Sequence, residues 1–325
     1  MKRSEGADRK VLELLGRKGF VSGEEASLAL GVTRAALWKR INTLRRKGFV
    51  IESRRGLGYR LVEAPEYSAE ELRSLARGPL GRRIIFLQET GSTNDAAMEL
   101  AASGEPHGTV VVAERQTHGK GRLGRRWVSP AGRNIYMSVI LRPGLRPREG
   151  TLLTILSSVA ACLALRETTG LDARIKWPND IQAGGRKLGG ILLETRAEPD
   201  VISHAVAGIG INVNMASSHF PASIRDIATS VLIETGVRHR RSPIAAAVLN
   251  RMSEGLEALG KEGRRPLLDG WRELSSTLGH KVIVTEGEET VSGTAMDIDD
   301  EGRLILRLPN RRLRTVSSGD LMTLQ

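Results

Sequence analysis

Six runs rich in β-branched and other apolar residues lie between residues 83 and 213, and they constrain the fold of this chain more than any other feature. The runs are RIIFLQ, GTVVVAERQ, NIYMSVIL, ARIKW, KLGGILLE and VISHAVAGIGINV. Such runs are typical of strands, whereas the small and apolar residues of Thr151–Thr169 predict a buried helix. A sheet buries its apolar face against helices. The sequence therefore predicts a central α/β domain, with further helices over 243–259 and 266–278.

The first 62 residues follow a different pattern, that of three short helices. Asp8 is predicted to cap the first helix, and Thr33 the third. Ser22 and Glu25 have the spacing of a capping box, which predicts the start of the second helix. The order of these elements is typical of a helix-turn-helix unit.

The third helix and the hairpin after it carry most of the exposed cations. Leu37, Ile41 and Leu44 follow i, i+4, i+7 spacing and should face the core. The runs FVIE and YRLV flank the turn SRRGLG, which predicts a basic hairpin, or wing, beside the third helix. The residues predicted to contact DNA are Thr33, Arg34, Trp38, Lys39, Arg45, Arg46, Arg54 and Arg55.

Charge is concentrated in the same segment. Residues 1–62 hold fifteen Lys and Arg against six Asp and Glu, a surplus of nine in a chain whose formal net charge is +12. So large a positive charge on a small domain favours binding to a polyanion, because each phosphate that the protein neutralises releases counterions. A helical domain that packs on the rest of the chain, or that binds protein, stays open as the alternative.

From residue 279 onward the pattern changes to short strand-like runs separated by turns, which predicts a small β-barrel docked on the central domain. The predicted organisation is a DNA-binding domain at 1–62, a connector at 63–80, a central α/β domain at 81–278 and the small barrel at 279–325. The fold class expected for the whole chain is α+β.

The single cysteine, Cys162, excludes an internal disulfide and favours a reducing compartment. The basic N-terminus is not followed by the apolar region of a secretion signal, and we expect no membrane-spanning segment. A cytoplasmic protein that does not contact a membrane is therefore expected.

The segment Gln116–Trp127, QTHGKGRLGRRW, packs three glycines and four cationic residues into twelve positions. Glycines let backbone N–H groups approach an anion, and Lys and Arg neutralise phosphoryl oxygens. A strand rather than a helix follows its three glycines, which argues against a dinucleotide fold, and no P-loop sequence is present. Taken alone, the segment could also be a mobile surface loop or an RNA contact.

Four segments together resemble the biotin–protein ligase family. They are GSTND at 91–95, the cationic loop, KWPND at 176–180 and RKLGGIL at 186–192. With the helix-turn-helix in front, the resemblance covers nearly the whole chain and extends to the bifunctional form that is also the biotin operon repressor. It implies a central mixed sheet like that of class II aminoacyl-tRNA synthetases and an SH3-like C-terminal barrel.

The resemblance also implies roles for individual residues. Residues implied to bind biotin are Ser92, Thr93, Asn94, Gln116, Lys120, Gly121, Arg122 and Lys187. Residues implied to surround the adenylate or form its loop are Gly119, Gly124, Arg125, Arg126, Trp127, Trp177, Asn179 and Asn212. Arg122, Lys187 and Asp180 are implied to be catalytic. The family usually has arginine at the position of Lys120.

In the reaction that the resemblance implies, the biotin carboxylate attacks the α-phosphate of ATP, with Mg²⁺, and biotinyl-5′-AMP forms. A lysine of a biotin carboxyl carrier protein, such as that of acetyl-CoA carboxylase, then accepts the biotin. Asp180 could orient Lys187, help to hold Mg²⁺ or assist deprotonation of the acceptor lysine, and it could equally cap the turn after Pro178. No other metal ligand is expected.

The resemblance further implies that bound biotinyl-AMP promotes a homodimer, which places two helix-turn-helix units on a palindromic operator. Two other functions stay open. One is a ligase for lipoate, which shares the central architecture, and the other is a transcription factor that senses biotin without catalysis.

Overall fold

The computed structural model describes residues 2–16, 19–46, 49–63, 66–317 and 319–324. Its N-terminal unit consists of helices α1 (Lys2–Leu15), α2 (Gly23–Leu30) and α3 (Arg34–Arg46) and strands β1 (Val50–Arg54) and β2 (Gly58–Glu63). This is the predicted helix-turn-helix with its hairpin, and it has a separate apolar core.

Local hydrogen bonds explain where two of these helices begin. Ser22 Oγ accepts from the Glu25 N–H at 3.0 Å, and Thr33 Oγ1 accepts from the Ala36 N–H at 3.2 Å, so both predicted caps are confirmed. The Asp8 cap is wrong, because α1 begins at Lys2 and runs through Asp8. The Asp8 carboxylate instead accepts from Arg40 on α3 at 3.3 Å.

The core side of α3 is as predicted, since Leu37, Ile41 and Leu44 are buried. The hairpin beside it is antiparallel, and Val21 joins it by pairing with Tyr59. A side chain at Gly58 would overlap the Val21 carbonyl oxygen, and Gly58 has a φ of 103°, so this close approach requires glycine.

The central unit is built on a seven-stranded sheet in the order β3-β4-β5-β9-β8-β7-β6. Its strands are β3 (Arg83–Thr90), β4 (Thr109–Gln116), β5 (Ile135–Leu141), β6 (Arg174–Lys176), β7 (Asp180–Ala183), β8 (Arg186–Ala197) and β9 (Ile202–Ile211). The β3–β4 pair is parallel and the other pairs are antiparallel. The predicted mixed sheet is therefore confirmed.

Helices cover both faces of this sheet. They are α4 (Ala69–Leu75), α5 (Thr93–Ala102), α6 (Thr151–Thr169), α7 (Val231–Thr235), α8 (Arg241–Lys261) and α9 (Arg265–Leu274). Helices α6 and α8 bury one face in the main core, whereas α5 packs on the other face against Val111, Ile140 and Val206. Among the described residues, one stretch, Pro147–Thr169, is long and apolar enough to cross a membrane, but most of it is buried in this core.

The segment predicted as a connector contributes to the central unit. Tyr67, Leu72 and Leu80 are buried in the main core. Helix α4 packs against α8 of the central unit and against α1 of the N-terminal unit. The N-terminal unit is thus seated on this segment.

The C-terminal unit is a five-stranded antiparallel sheet in the order β13-β12-β11-β10-β14. Its strands are β10 (Lys281–Glu286), β11 (Glu289–Ile298), β12 (Leu304–Arg307), β13 (Leu313–Val316) and β14 (Asp320–Thr323). Val282, Val284 and Leu304 belong to the same apolar cluster as the central core, so the small sheet is docked on the central unit. The order of the three units confirms the predicted fold class.

Candidate active site

Three glycines make a flat patch on the α5 side of the central sheet. Gly190 pairs with Gly210 between β8 and β9, and Gly208 lies two residues before Gly210 on the same face. A Cβ at Gly208 would overlap Asn94 Oδ1, and one at Gly210 would lie 2.7 Å from Trp127 Cε2. We call Gly190, Gly208 and Gly210 the glycine platform, on which other groups can approach the sheet closely.

The GSTN segment lies at one side of the platform. Ser92 caps α5 by accepting from the Asn94 N–H at 3.3 Å. Gln116 Oε1 accepts from the Thr93 N–H at 2.8 Å and from the Thr93 hydroxyl at 3.1 Å. Ser92, Thr93 and Asn94 are all buried, so the start of the helix is held in one geometry.

Asn94 joins this group to residues that the sequence did not indicate. Its Oδ1 accepts from Ser138 Oγ at 2.6 Å, and its Nδ2 donates to Glu194 Oε2 at 2.8 Å. Apart from the Tyr136 hydroxyl, Ser138 is the one polar side chain in the apolar strand IYMSVIL, and this exception is a signal for a polar site. Glu194 carried no comparable signal.

The cationic loop folds back as a narrow hairpin beside the platform. The Trp127 N–H donates to the Gly119 carbonyl at 2.8 Å, and the Gly121 N–H donates to the Arg125 carbonyl at 2.7 Å. Gly124 at the tip has a φ of 72°. The Trp127 ring therefore lies on Gly210, and its half-buried indole has no hydrogen-bond partner for Nε1 among the described residues.

Two ion pairs join the loop to neighbouring elements. Lys120 forms an ion pair with Asp95 on α5, and this hydrogen bond raises the pKa of Lys120. Arg125 forms an ion pair with Asp320 on β14 of the C-terminal sheet. Arg126, by contrast, has no ion pair among the described side chains.

Arg122 is half-buried, whereas the other three cations of the loop are exposed. Its Nη1 donates to Asn179 Oδ1 at 3.1 Å and to the Gly319 carbonyl at 3.4 Å. Burial lowers the pKa of this guanidinium, but an arginine stays charged at neutral pH. The Asn179 amide is itself oriented, because its Nδ2 donates to the Ile191 carbonyl at 2.7 Å.

Lys187 and Asp180 face one another across the β7–β8 hairpin. Lys187 Nζ lies 2.6 Å from Asp180 Oδ1 and 5.7 Å from the centroid of the Trp127 ring. The structure thus brings Arg122, Lys187 and Trp127 to the same edge of the glycine platform. Two cations held beside a flat surface suit a ligand that has both a ring and an anionic group.

Two of the residues implied to surround the adenylate lie deeper in the protein. Trp177 is 1% exposed, and its indole N–H donates to the Gly302 carbonyl at 3.4 Å, so it joins the core to the C-terminal sheet and does not line an open wall. Asn212 is buried, with its amide bonded to Asn134 and to the Thr229 carbonyl. These hydrogen bonds hold the chain in place directly after the end of β9.

The candidate DNA interface also differs in detail from the expectation. Arg45 donates from Nε and Nη2 to the Ile51 carbonyl at 3.0 and 2.6 Å, so it ties α3 to β1. Arg34 is paired with Glu24 and Arg54 with Glu52. The side chain of Arg46 lies outside the described residues.

The side chains most available to a partner on this unit are Trp38, Lys39 and Arg55. All three are exposed, and Trp38 is 58% exposed although it is a large aromatic residue. Lys39 and Arg55 form no ion pair with any side chain that the structure describes. They lie on the third helix and at the turn of the hairpin, the two elements with which this kind of unit contacts DNA.

Fold and site together define a protein in which a helix-turn-helix unit is joined to a mixed-sheet domain with a cationic ligand site, and comparisons with known proteins identify its class. Residues 86–212 match the biotin/lipoate A/B protein ligase family, residues 8–60 an HTH domain and residues 277–321 the C-terminal domain of biotin protein ligase.

Two relatives match over nearly their full length. The bifunctional ligase/repressor BirA of Bacillus subtilis is 36% identical over 96% of this chain and 97% of its own length. BirA of Escherichia coli is 32% identical over 91% of both chains. A biotin protein ligase from Aquifex aeolicus, solved with biotin and ATP, superposes with a TM-score of 0.65 and 29% identity, over 75% of this chain and 99% of that chain. The chain belongs to the biotin–protein ligase family, in its bifunctional ligase/repressor form.

Proposed function

We propose that this chain activates biotin with ATP, transfers it to a lysine of a carrier protein, and represses transcription from a biotin operator. The observation that carries the catalytic half is the placement of Arg122 and Lys187 beside the glycine platform. These cations are fixed by protein partners before a substrate arrives, as electrostatic catalysis requires.

The biotin pocket lies at the start of α5. Ser92, Thr93, Asn94 and Gln116 offer hydroxyl and amide groups that suit the donors and acceptors of a ureido ring. Because these groups are buried and already bonded to one another, a ligand must exchange those bonds for its own. Lys120 and Gly121, in the cationic loop, close the pocket.

In the first step, a carboxylate oxygen of biotin attacks the α-phosphorus of ATP, the bond to the bridging oxygen breaks, and pyrophosphate leaves. Arg122 and Lys187 stabilise the negative charge that builds on the α-phosphate oxygens. Gly119, Gly124, Arg125, Arg126 and Trp127 shape the loop around the resulting biotinyl-5′-AMP. In the second step, the acceptor amine attacks the acyl carbon, AMP leaves, and the amine loses a proton.

Mg²⁺ fits this site only together with the nucleotide. No group of three or more His, Cys, Asp or Glu that could hold a metal exists in the described part of the chain. Asp180 is the carboxylate beside the two cations, and Mg²⁺ is commonly bound by one or two carboxylates plus substrate phosphates. Asp180 would hold the ion, and the ion would neutralise phosphate charge.

For the repressor half, α3 enters the major groove and the hairpin lies against a phosphate strand. Trp38 contacts base edges, whereas Lys39 and Arg55 contact phosphates, with Arg34 and Arg54 available after exchange of exposed ion pairs. Thr33 caps the helix at the point where it meets the DNA.

The remaining assignments are proposed on family membership. The acceptor is the biotin carboxyl carrier protein of acetyl-CoA carboxylase or a similar carboxylase, the dimer forms when biotinyl-AMP is bound, and the protein works in the cytoplasm without a membrane. The domain boundaries proposed are 1–62, 63–80, 81–278 and 279–325.

A lipoate ligase is the alternative enzyme, because residues 86–212 match a family that includes both activities. Exchange of labelled pyrophosphate into ATP separates the two. We expect exchange that depends on biotin and ignores lipoate, and the reverse dependence would overturn the biotin assignment. Lack of exchange with either acid would favour a transcription factor that senses biotin without catalysis.

A further inference from the structure

The outer face of the C-terminal sheet carries a groove that the proposed chemistry does not use. Its volume is about 810 Å³. The side chains that give it its character are the cations Lys281, Arg307 and Arg311, the hydroxyls Ser292 and Thr294, and the apolar Leu324. No carboxylate lines it among the residues described. We call this the cationic groove.

The positive charge of the groove contrasts with the unit around it. Residues 279–325 contain six Lys and Arg against eight Asp and Glu, so the unit as a whole is acidic. Arg303 is paired with Asp299, and Arg314 with Glu289. The other four cations form no ion pair with a described side chain, and three of those four line the groove. Unneutralised cations that converge in one concave surface favour an anionic partner.

The backbone fixes these cations in place. Lys281, Thr294 and Arg307 are direct neighbours across β10, β11 and β12, so they form one row on the sheet. Arg311 lies in the turn after β12 with a φ of 66°, and Asn310 Oδ1 accepts from the Arg312 N–H at 3.1 Å. A non-glycine residue in this conformation is uncommon, and here it directs Arg311 to the groove.

The groove lies on the same face as the contact between the C-terminal sheet and the active-site loop. Asp320 and Met322 alternate along β14, and Leu324 directly after it continues the pairing with β10 through its N–H, which donates to the Lys281 carbonyl at 2.8 Å, so the three share one face. Asp320 is paired with Arg125 of the loop, and Leu324 lines the groove. Asp320 and Leu324 are four residue steps apart, which is about 13 Å along an extended chain, and Met322 between them is 64% exposed.

We propose that the cationic groove holds an acidic segment of the acceptor protein while the acceptor lysine reaches the adenylate under the loop. The inference rests on the proposed ligase function and adds to it the acidic nature of the acceptor segment and the surface that recognises it. A protein is a better occupant than a free metabolite, because the exposed strip from the groove to the loop is continuous with the site where the acceptor must react.

The test is steady-state biotinylation of the carrier domain of an acetyl-CoA carboxylase by the full-length protein and by Arg307→Glu/Arg311→Glu. Both side chains point to solvent, and thermal unfolding should confirm that the variant is folded. Arg265→Glu, which changes a 91% exposed cation on α9, is the matched control. We expect the double variant to raise the acceptor KM about tenfold or more, with less effect at high salt, because rim charges steer and orient partners.

Formation of biotinyl-AMP provides the internal control. Its rate, followed without acceptor, should be the same in the double variant as in the unaltered protein. An unchanged acceptor KM with normal adenylate formation overturns the groove assignment. So does a variant whose only defect is weaker inhibition by added pyrophosphate, since the groove would then bind a small anion, or weaker operator binding, since it would then contact DNA. If the unaltered protein formed no adenylate, the proposed ligase function itself would fail.

Discussion

Lys187 Nζ lies 2.6 Å from Asp180 Oδ1, and both side chains are partly exposed at the edge of the glycine platform. An ion pair with this exposure contributes little to folding, about 1 kcal/mol or less. The ion pair instead positions Lys187, since Asp180 holds its ammonium group beside Trp127 and the loop. The pair therefore links the short β7–β8 hairpin to the chemistry of the site.

Replacing Lys187 by Met should slow biotin-dependent pyrophosphate exchange about 100- to 1000-fold, because a fixed cation is removed from the developing charge on phosphorus. The melting temperature should hardly change. Asp180→Asn keeps the shape of the pair and should lose less activity. Nearly normal exchange in Lys187→Met would show that Lys187 does not act on the phosphate.

Gly208→Ala should weaken biotin binding, because the new methyl group would overlap Asn94 Oδ1 and push that side chain away from Ser138. Loss of hydrogen bonds in a buried site costs about 1–3 kcal/mol, which corresponds to a Kd higher by about five- to 150-fold. Calorimetric titration with biotin measures this. Gly270→Ala on α9, outside the site, is the control, since its Cβ would lie 3.8 Å from Val159 Cγ1, an ordinary contact. Equal losses in both variants would argue against the role of Asn94.

Of the cations on α3, Arg45 should contribute to stability and Lys39 to DNA binding. Arg45→Ala should lower the stability of the N-terminal unit by about 1–3 kcal/mol, because Ile51 loses both hydrogen bonds to its carbonyl. Lys39→Ala should leave stability unchanged and reduce the salt dependence of DNA binding by about 0.9 in log–log slope. Denaturant unfolding and fluorescence anisotropy at several salt concentrations measure the two effects. A stable Arg45→Ala protein with a reduced slope would mean that Arg45 contacts phosphate.

Cys162 should be unreactive in the folded protein. It lies in the buried helix α6, and burial raises the pKa of its thiol to about 12. Alkylation at pH 8 should be slow until the protein unfolds, since the thiolate is the nucleophile. The thiol ionises in the unfolded chain near its usual pKa of about 8.5, so its contribution to stability is present below that pH and declines as pH rises toward 12. Fast labelling of native protein would contradict the buried placement.

Much of the fold could be predicted because its signals are local. Ser22 and Thr33 cap helices through N–H groups three residues away, and the apolar segment Thr151–Thr169 forms α6 with the predicted limits. Such contacts depend on neighbours in sequence. Asp8 misled the prediction because a good capping residue can also lie inside a helix when another helix supplies its partner, here Arg40.

The site was harder to predict where it depends on distant partners. The motifs located Asn94 and Lys187, but Ser138 and Glu194 meet Asn94 from 44 and 100 residues away, and sequence spacing says nothing about such distances. The motif predicts Trp177 as a wall of the site, but its indole N–H donates to the carbonyl of Gly302 in the C-terminal unit and the ring is buried. Arg45 has the charge of a DNA contact, but its hydrogen bonds to Ile51 are set by packing.

The most direct test of the account is the mass of what the protein holds after incubation with biotin, ATP and Mg²⁺, measured by native mass spectrometry. We predict one biotinyl-AMP per chain, lost when Arg122 is replaced by Ala and discharged when the carrier domain is added. Protein that retains biotin and ATP separately, with no adduct under any of these conditions, would contradict the proposal that the cationic loop and the glycine platform form the site of biotin activation.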